Sequence, residues 1–372
     1  MDRGGGYLSA SFLLGTIFSA VLENVFFRIF PIICSILLLA SLLVFFTILY
    51  HKQSTLFTRP FQLTLVCSIL FMLGSINFCR TSNSAKSPYS TVMESKVGSI
   101  RKNIKETAIN TLAKIIPNTQ DCAVVVAFTL GDKSLLDHKI KQAYQVSCAI
   151  HVLALSGLHI GIIYNLLNYL LFFLNFHHTS KLLKLLICAC CIFSYAVLTG
   201  FGPSVQRAAI MILVWKVLAF SNRKSGKWDV LLLSACIIIL IDPNEIKSIG
   251  FQLSYAATAG IIAIYPTLEA AFGIYRGGCL YKYLKPVWSM ISISIACQVS
   301  TAPLILYYFG SIPLYFLITN LAAIPLVTIS LYTIVLSLVT SEIPIIGHIS
   351  EFLMQKSVHL LNFIIKYIGN GF

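Results

Sequence analysis

The sequence predicts an all-α polytopic membrane protein of about ten transmembrane helices, with broken or re-entrant helices among them. Three observations predict it. Of the 372 residues, 57% are hydrophobic and 11% are charged, against roughly 25% charged in a soluble domain, and the mean hydropathy is +0.85. Apolar runs near the about 20 residues that cross a ~30 Å hydrocarbon core recur along the chain. Short loops between them alternate between rich and poor in Lys and Arg, as the two sides of a membrane do. Backbone polar groups cannot stay unpaired in lipid, so the runs are expected as helices. This composition excludes an ordinary cytosolic enzyme, a disordered chain and a nucleic-acid-binding domain folded in water.

Residues 1–80 hold the first runs, near 7–26, 29–50 and 61–79. The first, Tyr7–Leu22, has no small-residue cleavage site and is expected to stay as a helix. Residues 81–121 form an outer polar loop. Thr81–Ser90 is rich in Ser and reads as irregular, after which Val97, Ile100, Ile104, Ala108, Leu112 and Ile115 recur at helical spacing. Arg101, Lys102, Lys105 and Lys114 fall mostly on other faces. This basic amphipathic helix is expected to lie on the membrane surface or the helix bundle, or to attract phosphate backbones. Residues 122–372 carry the remaining runs, near 151–175, 182–200, 203–220, 229–241, 249–265, 287–309, 321–340 and 345–368, the last of them amphipathic. The stretch holding Pro313, Asn320 and Pro325 reads as a broken or re-entrant helix.

The basic short loops are His51–Arg59, His177–Lys184, Ser221–Trp228 and Pro266–Pro286, whereas the opposite set holds only Arg28 and Lys247. Lys/Arg-rich short loops face the cytoplasm, which places the N-terminus inside and the long loop Arg80–Ile150 outside. These loops explain part of the net charge of +14 without any nucleic acid. Most of the 11 cysteines lie in apolar runs, where a thiol behaves as a small hydrophobe. Cys188 and Cys191 have C-x-x-C spacing but no second pair, so no metal or redox site is expected. Cys79, Cys122 and Cys148 flank the polar segment, and a bridge among them is left open.

The densest polar cluster in an apolar setting is His151-Val-Leu-Ala-Leu-Ser156-Gly157-Leu-His159-Ile-Gly161. At about 100° per residue, Ser156 and His159 fall about 140° and 80° from His151, so all three share one broad face of a continuous helix. Gly157 and Gly161 form a G-x-x-x-G pair that lets another backbone approach. Three readings stand side by side: polar contacts between helices, the lining of a polar path, or a Ser/His hydrolytic site lacking a nearby carboxylate to orient its histidine. No H-E-x-x-H or other metal signature accompanies the histidines.

Gly200-Phe-Gly-Pro-Ser-Val-Gln-Arg207 describes a sharp turn with Pro203 at a first helical position. Arg207 then sits one turn into a span beside a positive helix end, where it suits an anion such as phosphate, or an ion pair with Asp242. Lys216, near the other end of that helix, is read as snorkelling. Asp242-Pro243, Gln252, Gln298, Thr301 and Asn320 add polar groups. His151, Ser156, His159, Arg207, Asp242 and Gln252 all fall near the outer ends of their spans, which points to an outward-facing vestibule. The chain has no phosphate-binding loop, so no ATPase of its own is expected.

These residues resemble the ComEC family, the inner-membrane DNA uptake channels of natural competence. The likeness rests on Leu130-Gly131-Asp132-Lys133 followed by Asp137, the His151–Gly161 segment, Gly202-Pro-Ser-Val-Gln-Arg-Ala-Ala, Asp242-Pro243 with Gly250-Phe-Gln-Leu-Ser-Tyr, and Asn320-Leu-Ala-Ala-Ile-Pro-Leu-Val. It covers about 122–340, the family's competence domain. The resemblance implies a multi-pass inner-membrane channel that passes single-stranded DNA into the cytoplasm; with no nuclease or ATPase motif in the sequence, neither enzymatic activity nor a cofactor is expected. It also implies a cytoplasmic helicase or ATPase that pulls the strand, a separate DNA receptor or nuclease, and room for a homo-oligomer. The sequence is expected to be a short form of the family, without its OB-fold and metallo-β-lactamase-like domain. Phe201, Phe251 and Tyr255 are expected as base-stacking aromatics. The alternatives are a small-solute or lipid-precursor transporter and, further off, an intramembrane hydrolase using Ser156 and His159.

Overall fold

The computed structural model describes residues 9–18, 73–74, 96–175, 178–220, 226–272, 279–312, 315–340 and 343–370. The expected spans near 29–50 and, but for two residues, 61–79 lie outside the described residues, as do the His51–Arg59 loop, Thr81–Ser90 and Cys79. Among the described residues all regular structure is helical, with no strand. The helices are α1 (Ser9–Phe18), α2 (Lys96–Ile115), α3 (Thr119–Leu130), α4 (His138–Val146), α5 (Ile150–Leu153), α6 (Gly157–Leu170), α7 (His178–Leu198), α8 (Pro203–Phe220), α9 (Lys227–Ile241), α10 (Ile249–Phe272), α11 (Cys279–Phe309), α12 (Phe316–Thr340) and α13 (Pro344–Asn370). Short 3₁₀ turns, Phe172–Asn175 and Pro243–Lys247, follow α6 and α9.

Among the described residues, five stretches are long and apolar enough to cross a bilayer: Ser180–Leu198, Pro203–Phe220, Ile249–Ala271, Tyr283–Phe309 and Phe316–Thr340. The chain is therefore a helical protein with several membrane-length helices, five of the about ten expected meeting the criterion of length and composition. The chain folds as two compact units, one of Met1–Val92 with Val214–Tyr255, the other of Met93–Leu213 with Ala256–Phe372.

The second unit is organised around α3. This helix is short for a span, ~18 Å at 1.5 Å per residue, and it is apolar on every side. Asp121 through Leu130 are all buried, and Val124, Val125, Val126, Ala127 and Phe128 have no exposed surface. Helix α2 covers it with Leu112 and Ile116, and α12 and α13 close the same core with Val327, Leu331, Ile334, Met354, Val358, Leu361 and Ile365. The α13 residues are spaced four, three and four apart, one stripe of an amphipathic helix as the sequence pattern predicts. Hydroxyl pairs bind α12 to α13 along its length, Ser330 to Ser357 and Thr340 to Ser350, both at 3.1 Å. A second cluster joins α6, α7 and α8 through Ile160, Tyr164, Cys188, Ile192, Ala196, Val205 and Ala209.

Three expectations on continuity are corrected. The run 151–175 is not one helix: α5 ends at Leu153, an extended Ala154 follows, and α6 begins at Gly157. The stretch through Asn320 and Pro325 is not broken, because α12 runs unbroken across both. The long loop Arg80–Ile150 is not all loop, since beyond its polar part it holds the buried helix α3, Thr119–Leu130. A fourth correction concerns Lys184, expected in a basic loop. It is buried within α7, and its Nζ donates at 3.0 Å to both the Asn168 carbonyl and Asn175 Oδ1, closing the end of α6.

In the first unit, α9 is joined to the start of α10 by a hydrogen bond at 3.1 Å between Ser234 Oγ and the Tyr255 hydroxyl. The thiol of Cys236 donates to the Ser9 carbonyl of α1 at 3.1 Å.

Candidate functional site

The polar groups of the second unit gather where α5 breaks into α6. Ser156 is the N-cap of α6 in extended conformation, and its backbone N–H donates to His159 Nδ1 at 3.3 Å. The Ser156 hydroxyl lies 2.9 Å from the same nitrogen. This is a capping-box arrangement with histidine in the third helical position. Because Nδ1 accepts, the proton of the neutral ring belongs on Nε2. His159 has no exposed surface, and its Nε2 has no hydrogen-bond partner among the described residues. Its ring stands against Phe128 of α3, centroids 6.1 Å apart.

His151 comes to the same place from α5. Its Nδ1 donates to the Cys148 carbonyl at 3.0 Å, where Cys148 turns the chain with φ 60°. Its ring packs on Phe316 at 6.0 Å, and its charge would be felt by His159. Asn320 of α12 lies beside His151. Asn320 is buried, and its Oδ1 accepts no hydrogen bond among the described residues. One buried donor and one buried acceptor therefore stand unused in the same neighbourhood, an arrangement that calls for water or a polar ligand. Gln298 of α11 also leaves a buried Nε2 without a bond among the described residues.

The turn between α7 and α8 forms the other wall. Gly200 and Phe201 take φ of 90° and 51°, and Pro203 opens α8 as predicted. Arg207 is 2% exposed, and its Nη2 donates to Ser204 Oγ at 3.0 Å. At Gly157 an added Cβ would meet the Ala208 Cβ at 3.3 Å, so α6 and α8 touch there, whereas nothing lies within 4 Å of a Cβ at Gly161. The G-x-x-x-G expectation holds at its first glycine alone. Gly131 ends α3 with φ 71°, and a Cβ there would fall 2.6 Å from Leu155, so only glycine fits. Tyr195 of α7 ties this end of α3 down by donating to the Thr129 carbonyl at 2.8 Å.

The next loop holds Asp132. It accepts from the Ser134 N–H at 2.9 Å and pairs with Lys105 of α2 at 2.9 Å. The Ser134 hydrogen bonds, helped by Lys105, draw its carboxyl down to about 2. Of the predicted basic set, Lys105 is thus committed to an ion pair and Lys102 faces Glu106 at 4.0 Å. Arg101 keeps its Nε buried with no bond among the described residues.

His151, Ser156, Gly157, His159 and Asn320 are therefore brought together, but not as an open vestibule. His159, Arg207 and Asn320 are buried, because the apolar α3, α6 and α8 faces close over them. Asp242 and Gln252 belong to the first unit. Asp242 Oδ1 accepts from the Asn244 N–H at 3.1 Å, and Gln252 Nε2 donates to the Ile246 carbonyl at 3.1 Å, so both brace the 3₁₀ turn. Phe251 is buried against Tyr255, centroids 4.4 Å apart, and offers no free face for stacking. Cys122 and Cys148 are free thiols.

Sequence reading missed a second polar cluster, in which Asp121, Tyr144 and Asn362 meet inside the α3–α4–α13 core. His359 stands 3.4 Å from the other Asp121 oxygen. An Asp in an otherwise apolar helix was the available signal; its partner is 241 residues away.

The fold and this site define a helical membrane protein whose buried polar groups sit between helices. The family model described as "Competence protein" matches residues 128–370, and the chain belongs to that family, the ComEC family of competence proteins. It is 27% identical over 234 residues to "ComE operon protein 3" of Bacillus subtilis, covering 63% of this chain and 27% of that protein. It is 28% identical over 256 residues to "Uncharacterized protein YcaI" of Escherichia coli, covering 67% and 33%. Over 204 residues it is 24% identical to "Competence protein ComA" of Neisseria gonorrhoeae, covering 54% and 28%. The matched segments thus make up a third or less of each of these relatives. No solved structure matches.

Proposed function

We propose that the chain is a membrane conduit that passes single-stranded DNA into the cytoplasm during natural competence. Family membership supports a role in DNA uptake. The observation that carries the finer reading is the buried pair of unused groups, His159 Nε2 and Asn320 Oδ1. Each nucleotide brings a charge that hydrocarbon excludes, so a strand needs a hydrated path. Weakly binding His, Ser, Gln and Asn side chains suit passage better than a wall of fixed cations. In this reading the structure is the closed form. Opening parts α8 from α6 at the Gly157–Ala208 contact, wets His159 and Asn320, and turns Arg207 toward the strand. The chain acts as a conduit and not as an enzyme, in the inner membrane with its N-terminus cytoplasmic. A cytoplasmic helicase or ATPase draws the strand, and a separate receptor or nuclease delivers it.

The test is uptake of labelled duplex DNA by cells carrying Arg207→Ala or His159→Leu, scored separately for surface-bound and nuclease-protected label. Both variants are expected to insert normally and keep surface binding while protected label falls at least tenfold. Undiminished entry in both removes the site from the path.

A further inference from the structure

The geometry points to one side of α2 as a membrane-surface contact that seats this unit against anionic lipid at the end of the bundle where α7 passes into α8. The placement of α2 follows from its bonds. Its last turns enter the core through Leu112 and Ile116, and Ala108 and Ile109 pack on the same cluster as Leu198, the final residue of α7. Lys105 pairs with Asp132 just beyond the end of α3. Helix α3 is tied at that end to Tyr195 of α7. The turns before Lys105 therefore project about 12 Å, at 1.5 Å per residue, past the terminus of a membrane-length helix, at the depth where a bilayer has its headgroups.

The projecting turns carry an apolar side that nothing in the unit covers. Ile100 is 59% exposed and Ile104 52%. At about 100° per residue they point about 120° and 80° away from the direction Leu112 takes into the core, so they look sideways past the bundle. Thr107 and Thr111 continue the same side. Their hydroxyls turn back to the Asn103 and Thr107 carbonyls, each at 2.9 Å, which leaves the methyl groups outward and no hydroxyl hydrogen unspent. A side made of two isoleucines and two self-satisfied threonines is built for contact with acyl chains, not for water. The cations that flank it are Arg101 and Lys114, whereas Lys105 is taken by Asp132 and Lys102 by Glu106; two flanking cations with no acid beside them favour an anionic surface. Lys102, 76% exposed, stands on the far side of the helix from Ile100 and Ile104 and faces water. This inference does not depend on what the chain transports.

The test uses the full chain with a fluorescent amino acid at position 104 or, as control, at 102, reconstituted in nanodiscs of phosphatidylcholine with or without phosphatidylglycerol. Lipids carrying a spin label near the headgroup are expected to quench position 104 at least threefold more than position 102, and aqueous iodide the reverse. The lipid quenching at 104 is expected to fall in Arg101→Glu/Lys114→Glu and in discs without phosphatidylglycerol. Equal melting of the labelled and unlabelled chains certifies folding. Iodide quenching at 104 equal to that at 102 would overturn the inference. So would shielding that appears only on adding an oligonucleotide, or only with two chains per disc, since the face would then serve nucleic acid or a second copy.

Discussion

The side-chain amide of Asn362 donates to the carboxylate of Asp121 at 2.5 Å, across 241 positions of sequence. Its own oxygen accepts from the Tyr144 hydroxyl at 2.6 Å. The three form a satisfied chain in a core that is otherwise apolar, and removing one member strands the others. Asp121→Ala is expected to cost about 2–3 kcal/mol, Asp121→Asn about half that. Thermal unfolding of the purified chain in nanodiscs measures both, and a double-mutant cycle with Asn362→Leu should return a coupling above ~1 kcal/mol.

Asp132 gives a pH dependence outside the membrane-length helices. Its carboxyl is held down to about 2 by the Ser134 hydrogen bonds and by Lys105. A group whose folded value is depressed contributes stability that is present above its unfolded value, near 4, and lost as the pH falls toward 2. Screened by solvent, the contribution is about 1 kcal/mol. Hydrogen exchange of the turns of α2 before Lys105 should therefore rise between pH 4 and pH 2.5 in the native chain. In Asp132→Asn it should already be raised at pH 7 and change little over that range.

Gly260 of α10 leaves no room for a side chain. An added Cβ would fall 2.5 Å from Ser300 Cβ and 2.6 Å from the Ala296 carbonyl oxygen, both on α11. Gly260→Ala must push the two helices apart, and overpacking of this kind costs about 1–3 kcal/mol. A matching fall in the midpoint of thermal aggregation is expected, with Ser300→Gly restoring part of it.

Lys184 sits buried with its ammonium received by two oxygens, the Asn168 carbonyl and Asn175 Oδ1. Lys184→Met keeps the volume but leaves the Asn168 carbonyl and Asn175 amide unpaired, a loss of about 1–3 kcal/mol. Hydrogen exchange should rise over residues 168–175 and stay unchanged in α12.

Much of this was legible in the sequence. Pro203 after a glycine turn announced the start of α8, and the amphipathic character of the last run announced that α13 buries one side. The pairing of Ser156 with His159 was visible as proximity. What hid its nature was the helix break at Ala154, since capping depends on where a helix starts and an unbroken apolar run does not reveal that. The continuity of α12 through Pro325 was obscured for a related reason: a membrane helix tolerates proline where neighbours re-satisfy the freed carbonyl. Helix α3 was passed over because its 12 residues fall short of a span. The Asp121–Asn362 and Lys184–Asn168 contacts depend on tertiary approach, and no local pattern encodes that.

The encirclement of α3 has a consequence for biosynthesis. Two of the helices that wrap it, α12 and α13, leave the ribosome some two hundred residues after α3. Until they arrive, an apolar rod too short to be anchored by itself must wait with much of its surface uncovered. Assembly of this unit thus waits for the synthesis of α12 and α13, and a chaperone or the insertion machinery has an interval in which to shelter the waiting segment.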